Sequence, residues 1–286
     1  MLAAGFLFAL MGALVKLGAR DFSFAELAFY RSAFGLLVLL PGIMFGQKRL
    51  RTPYWRWHLS RGLLGTTGLF LYFFAISTLP LATAVTLNYT APLFLTVLSL
   101  LTLRVRPNLL LIGGIVLGFI GVVFLLQPTL DSQLLVPALL GLAGGLCSGL
   151  AFFSTRELGQ RGEPPWRVVF YFSVVSTVVA SGWLLWHGMH APSLASIPAL
   201  LGIGICATLA QLAMTRAYKD GHVLIVGSLS YSTVAFTSLL GILLWHEWLV
   251  SEEWLGLGLI VASGVIATLG SNRSILPKSN NERTAS

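Results

Sequence analysis

The sequence predicts an all-α membrane protein of ten transmembrane helices arranged as two inverted five-helix repeats. Three observations carry this. Hydrophobic residues make up 56% of the 286-residue chain and charged residues only 10%, where soluble domains carry about 25% charged residues; mean hydropathy is +0.84. The apolar residues fall into ten runs of roughly membrane thickness joined by short links, which leaves no room for a soluble domain. Finally, the chain weakly matches itself at an offset of about 140 residues, a distance of five runs.

The first run, Leu2 to Leu17, begins at Met1 without a basic segment and closes on Lys16 rather than on a small-residue cleavage site, so it is expected to be retained as a helix. The second, Phe24 to Phe45, carries Arg31 seven residues past its first position. The third, Trp57 to Ser77, brings Thr66, Thr67 and Tyr72; Arg61 near its start, like Lys16 at the end of the first, is expected to snorkel to the headgroups. The fourth, Leu81 to Leu103, is the most informative. Its 23 residues span roughly 34 Å, enough to cross a bilayer, yet Asn88, Tyr89, Thr90 and Pro92 lie in its middle. Pro92 lacks an N–H and its ring clashes with the Asn88 carbonyl, so a kink is expected there, with that carbonyl free to face a cavity.

The fifth run, Leu109 to Leu126, contains Gly114 and Gly118, and the sixth, Leu134 to Thr155, contains Gly141, Gly145 and Gly149. Small residues four apart let helices approach closely, either within one molecule or across a homodimer face. The seventh (Arg167 to His187), eighth (Ala195 to Thr215, with Thr208 and Gln211), ninth (Val223 to Trp245, with Ser228, Ser230, Tyr231 and Ser232) and tenth (Glu253 to Gly270) runs complete the set. The expected repeats are residues 1–130 and 131–272, and residues 273–286 are expected to be a disordered cytoplasmic tail. Cys147 and Cys206 both fall inside runs, where small apolar packing is the usual role, and no disulfide is expected.

Charge sets the orientation. Of the 18 basic residues, 14 follow even-numbered runs or flank their links: Lys48, Arg49, Arg51 and Arg56; Arg104 and Arg106; Arg156, Arg161 and Arg167; Arg216 and Lys219; Arg273, Lys278 and Arg283. By the positive-inside rule both termini and the even links are cytoplasmic, as for a multi-pass protein of a bacterial inner membrane. The net charge of +8 is therefore a topology signal, and no nucleic-acid partner is implied. In the self-match Lys16 falls on Arg156, Leu87-Asn88-Tyr89 on Leu229-Ser230-Tyr231, and Gly113 and Gly121 on Gly256 and Gly264. An odd number of spans per unit turns the second unit upside down, which is the inverted-repeat plan of secondary transporters, with a site near the midplane between the repeats.

Candidate site residues follow from depth. Arg31 is the basic residue well inside a run; a charge there costs about 2.5–3.5 kcal/mol on insertion scales. It either clamps helix carbonyls or Glu26, or attracts a carboxylate or phosphate of a substrate. Polar groups cluster at one depth in four runs: Tyr72; Asn88, Tyr89 and Thr90; Gln211; Ser230 and Tyr231. Amides and hydroxyls can bond a substrate's polar ends while tyrosine rings cover its apolar body. Pro92 and Glu247 are candidates for gating or coupling; Glu247 is alternatively a solvated helix-end residue. No Asp, Glu or His sits in the middle of a run, which suggests a uniporter or exchanger rather than a proton-driven pump.

Enzyme signatures are weak. Gly145-Leu146-Cys147-Ser148-Gly149 has the spacing of a nucleophile elbow but lies in a helical run, not at a strand-to-helix turn. His187 and His190 lie in a link without nearby cysteine or acidic partners, so no metal site is expected. No phosphate-binding glycine loop is present and no cofactor is expected. The expected function is a carrier for a small metabolite, such as an amino acid or related amphipathic compound. An integral-membrane enzyme acting on lipid would need a nucleophile, acid pair or metal set at one depth; a channel would need a continuous polar stripe.

The five-plus-five plan, Lys16, the Phe29-Tyr30-Arg31 step, the run Asn88-Tyr89-Thr90-Ala91-Pro92-Leu93-Phe94, and His246-Glu247-Trp248 followed by Gly256 and Gly264 resemble the EamA-type branch of the drug/metabolite transporter superfamily. The resemblance covers nearly the whole chain. It implies alternating access through a central cavity lined mainly by spans three, four, eight and nine, and outward transport. The first-half position matching Glu247 is Val105, so the acidic residue is single-sided here.

Overall fold

The computed structural model describes residues 1–46, 49–91, 93–95, 98, 109–126, 132–220, 229–230, 232–248 and 251–275. The chain is all-helical, with no strand among the described residues. Its helices are α1 (Leu2–Gly18), α2 (Phe24–Met44), α3 (Trp55–Thr78), α4 (Leu81–Asn88), α5 (Leu109–Leu126), α6 (Ser132–Gln160), α7 (Pro165–His187), α8 (Ile197–Asp220), α9 (Ser232–Trp245) and α10 (Ser251–Ile275). Among the described residues, α2, α3, α6, α7 and α8 each contain a stretch long and apolar enough to cross a membrane. Large apolar side chains such as Leu37, Val178, Leu239 and Leu243 are exposed on the outside of the bundle, as expected of surfaces facing lipid. This is a multi-pass membrane protein.

Local chemistry sets the helix ends. Ser23 caps α2: its hydroxyl accepts from the Glu26 amide at 3.3 Å while the Glu26 carboxylate accepts from the Ser23 amide at 2.7 Å, satisfying two amides that the first turn would leave unpaired. Pro165 opens α7, where its missing N–H costs nothing. The fourth run is not one helix. Helix α4 stops at Asn88, Tyr89 and Thr90 form a turn, and helical backbone resumes at Ala91. The Leu87 carbonyl then takes both the Thr90 amide (3.2 Å) and the Thr90 hydroxyl (2.7 Å). The break falls where Pro92 can offer no N–H to the Asn88 carbonyl; Pro92 itself lies outside the described residues, as do residues 276–286 of the expected tail.

The core gathers Leu27, Phe73, Ile76, Leu81, Leu87, Leu200 and Ile203, all fully buried, from α2, α3, α4 and α8. Helices pair as α5 with α10, α3 with α6, α1 with α8, α2 with α7, and α1 with α9; α8 also packs on α2, and α7 on α3. The glycines of α6 serve these contacts inside the chain. A Cβ at Gly145 would sit 2.6 Å from the Leu87 carbonyl of α4, and one at Gly68 would sit 3.2 Å from the Gly144 carbonyl. Several buried hydroxyls return to their own helix: Thr66 donates to Gly62, Thr155 to Ala151, Thr208 to Gly204 and Ser238 to Val234.

Candidate functional site

The break after α4 opens onto a central cavity. Seven helices contribute: Phe8 and Met11 from α1, Arg31 from α2, Arg61, Gly65, Gly68, Leu69 and Tyr72 from α3, Asn88 at the end of α4 with Tyr89 beyond it, Ser148, Ala151 and Phe152 from α6, Phe172 from α7, and Gln211 and Met214 from α8. They surround a cavity of about 80 Å³ that is partly open to the outside. Spans three, four and eight, expected among the main lining elements, supply nine of these sixteen residues. Helices α1, α2, α6 and α7 line it too, and no described residue of α9 does. Helices α1 and α6 reach it while packing on α8 and α3 respectively.

The cavity's polar wall is preorganised. Ser148 donates its hydroxyl to Asn88 Oδ1 at 2.9 Å, which fixes the amide at the end of α4. The Tyr89 hydroxyl donates to Thr233 Oγ1 at 2.8 Å and ties the turn to α9. Arg61 lies over Phe172, its Cζ 4.2 Å from the ring centroid, and donates from Nε to Thr155 Oγ1 (2.7 Å) and from Nη2 to Gln211 Oε1 (3.3 Å). Arg31 approaches the same ring at 5.1 Å.

Of the residues singled out in the sequence, Arg31, Tyr72, Asn88, Tyr89 and Gln211 come together around this space. Thr90 and Ser230 are buried but do not line it; the Thr90 hydroxyl is spent on Leu87. Tyr231, like Pro92, lies outside the described residues. Arg31 does not clamp Glu26, whose carboxylate is taken by Ser23 and by His190, with His190 Nδ1 at 3.1 Å from Oε1. Arg61 is the clearest correction. It was expected at the headgroups, but it is only 3% exposed and faces the cavity. Trp55 and Trp57 precede it and mark the interfacial level, so a residue one turn further on lies below it. Ser148 had no signal of its own beyond its register on the glycine stripe.

Two polar clusters sit at the ends of the bundle. Lys16 does not snorkel to headgroups: it forms an ion pair with Glu247 and donates to the Leu79 carbonyl at 3.3 Å, while Glu247 Oε2 accepts from the Leu81 amide at 2.9 Å. Glu247 is therefore neither free nor in the cavity. It joins the ends of α1, α4 and α9. At the opposite end Glu163, in the α6–α7 link, accepts from Thr52 Oγ1 (2.6 Å) and Arg167 Nη1 (3.0 Å) and faces His58 Nε2 at 3.3 Å. Burial pushes the Glu163 carboxyl up, but the hydrogen bonds from Thr52 and Arg167 and the positive charge of Arg167 outweigh it and hold the group below the ordinary carboxylate range. Among the described residues no three His, Cys, Asp or Glu side chains gather as a metal site would require.

Comparison with known proteins agrees with this architecture. The chain is 31% identical over 245 residues to the pseudopaline exporter CntI of Pseudomonas aeruginosa, covering 85% of this chain and 86% of the relative. It is 26% identical to a riboflavin transporter of Vibrio cholerae, covering 94% and 91%. A solved crystal structure, 23% identical, matches with a TM-score of 0.67 over 93% of this chain and 96% of the other, which shows the fold. The model of the EamA-like transporter family matches residues 1–127 and again residues 135–269. The chain belongs to the EamA-like transporter family.

Proposed function

We propose that this protein is a secondary carrier of the bacterial inner membrane that exports small amphipathic metabolites by alternating access through the central cavity. The observation that carries the proposal is the cavity itself: buried polar groups from both halves of the chain, preorganised around one central space. Ten spans as two inverted repeats, over 1–130 and 131–272, with both termini cytoplasmic, form the frame.

The helix pairings support the repeat. Exchanging each helix for the one five places on turns α3–α6 into α8–α1, α2–α8 into α7–α3 and α4–α6 into α9–α1, and returns α2–α7, α4–α9 and α5–α10 to themselves; every one of these pairs is in contact. The end clusters follow the same rule. Glu26 at the start of α2 is held by His190 of the α7–α8 link, and Glu163 just before α7 is held by Thr52 of the α2–α3 link. The twofold match of the family model supports it as well. The exporter among the relatives favours outward transport, and the small molecules named for both relatives favour a metabolite-sized substrate.

Counterflow by purified protein in proteoliposomes tests the proposal. An unlabelled substrate trapped inside should accelerate uptake of the labelled compound several-fold. A flux without trans-stimulation would instead describe a channel, and release of a chemically altered product an enzyme.

A further inference from the structure

Among the described residues the cavity is lined by two buried guanidinium groups and no carboxylate. Arg31 is 4% and Arg61 3% exposed, and both face the ring of Phe172. Arg61 is held in place by two neutral acceptors, Thr155 and Gln211, which position it without neutralising it. Arg31 forms no hydrogen bond or ion pair among the described residues, and its Nε is buried without a partner. The acids that might have balanced these charges are engaged elsewhere: Glu26 by Ser23 and His190, Glu157 by Arg161, Glu163 by Thr52 and Arg167, and Glu247 by Lys16.

Burying a cation without a counter-charge is costly, and burying two that repel one another is costlier still. Such an arrangement is kept where an anion completes it. The guanidinium fork suits an oxyanion, because its N–H groups match the two oxygens of a carboxylate or phosphate. Around the pair, Phe8, Met11, Phe152 and Met214 offer an apolar wall, and Met side chains adapt to bodies of varied shape.

We propose that Arg31 and Arg61 together bind the anionic group of the transported compound, so that the substrates are amphipathic organic acids whose apolar body rests against the α1, α6 and α8 side of the cavity. This rests on the carrier function proposed above. Arg61 is the fixed half of the site and Arg31 the half whose hydrogen-bonding capacity the substrate satisfies. A carboxylate and a phosphate ester share the required chemistry, and so does the headgroup of an anionic lipid.

The test compares cells producing wild-type protein, Arg31→Gln, Arg31→Lys and Asn88→Ala at matched membrane abundance, by untargeted measurement of compounds whose ratio between cells and medium changes on expression. Arg31→Gln is the informative variant because Arg31 has no hydrogen bond whose loss would unfold the protein. The expected result is that the compounds moved by wild type carry a carboxylate or phosphate, that Arg31→Gln moves them at least ~10-fold less, and that Arg31→Lys restores part of the flux. Asn88→Ala should lower flux without selecting for charge. Movement of mainly neutral or cationic compounds, or of acids equally well by Arg31→Gln, would overturn the anion site while leaving the carrier function intact. Movement of no compound would overturn both. As a separate arm, wild-type and Arg31→Gln protein are purified in neutral detergent and their bound lipid is measured. Equal, low anionic lipid in both is expected; an anionic lipid retained by wild type alone, and not released by the transported acids, would assign the arginines to lipid and overturn the proposal.

Discussion

Lys16 and Glu247 form an ion pair that joins the last turn of α1 to the chain just after α9, and the second oxygen of the same carboxylate accepts from the Leu81 amide at the start of α4. Three helix ends are held by one side chain, above a cavity that α1 and α4 help to line. Both partners are partly exposed, so the pair contributes only about 0.2–1 kcal/mol. For the carrier proposed above that still matters: about 1 kcal/mol moves a two-state equilibrium roughly fivefold. Glu247→Ala is expected to raise labelling of Ser148→Cys by a membrane-impermeant maleimide from outside by up to about fivefold, in a background lacking Cys147 and Cys206. Unchanged labelling would remove this pair from the closure of its end of the cavity.

At the other end, Glu163 gives the protein an acid-sensitive contact. Its carboxyl sits below its ordinary value in the folded protein, so the stability it contributes is fully present above the unfolded value of about 4.3 and is lost as pH falls through the lowered folded value. Glu163→Gln removes hydrogen bonds to a charged group and is expected to cost about 1–3 kcal/mol at neutral pH. Melting curves in detergent from neutral pH to well below about pH 4 should converge for variant and wild type only at the acid end. Curves that stay parallel throughout would deny Glu163 this role.

For the candidate substrate-binding residues, Asn88→Ala, Tyr89→Ala and Tyr231→Ala are each expected to lower transport about 2- to 10-fold at unchanged membrane abundance, since a hydrogen bond to substrate contributes about 0.5–1.5 kcal/mol. Flux assays paired with immunoblots of the membrane fraction check this. Normal flux in all three would move the site elsewhere.

Orientation has its own test. A reporter fused after Lys278 should report cytoplasm, and one inserted at Asp131 should report the outer side, as the basic bias of the even links requires. Reversed readings would invert the assignment of both end clusters.

What could be read from the sequence was whatever depends on periodicity and depth. The apolar runs located the helices, and the polar step at Asn88–Thr90 located the break in α4, because a proline four residues after a carbonyl leaves the same mark in any context. Arg31, Tyr72, Asn88, Tyr89 and Gln211 were legible as candidates because polar groups at mid-depth need a reason. Arg61 was not, because its distance from the span end is ambiguous by one turn, and a long side chain can point either to headgroups or inward; packing of α3 against α7 and Phe172 decides it. The bond of Glu247 to Lys16 and the hold of Glu163 on Thr52 and His58 were illegible for a different reason. They join residues separated by up to 231 positions, and neither hydropathy nor spacing carries long-range pairing. Ser148 shows the same limit: only the docking of α6 onto α4 brings it to Asn88.

The central claim is that the substrate passes through the space between Arg31, Arg61, Asn88 and Tyr72. The most direct measurement uses the single-cysteine carrier Ser148→Cys in proteoliposomes, with maleimide labelling followed in the presence and absence of a compound that gives counterflow. That compound should slow labelling of Cys at this position in proportion to its occupancy, and the labelled carrier should lose exchange. Labelling that ignores a saturating substrate, in a carrier that still exchanges it after full modification, would contradict a substrate path through this cavity.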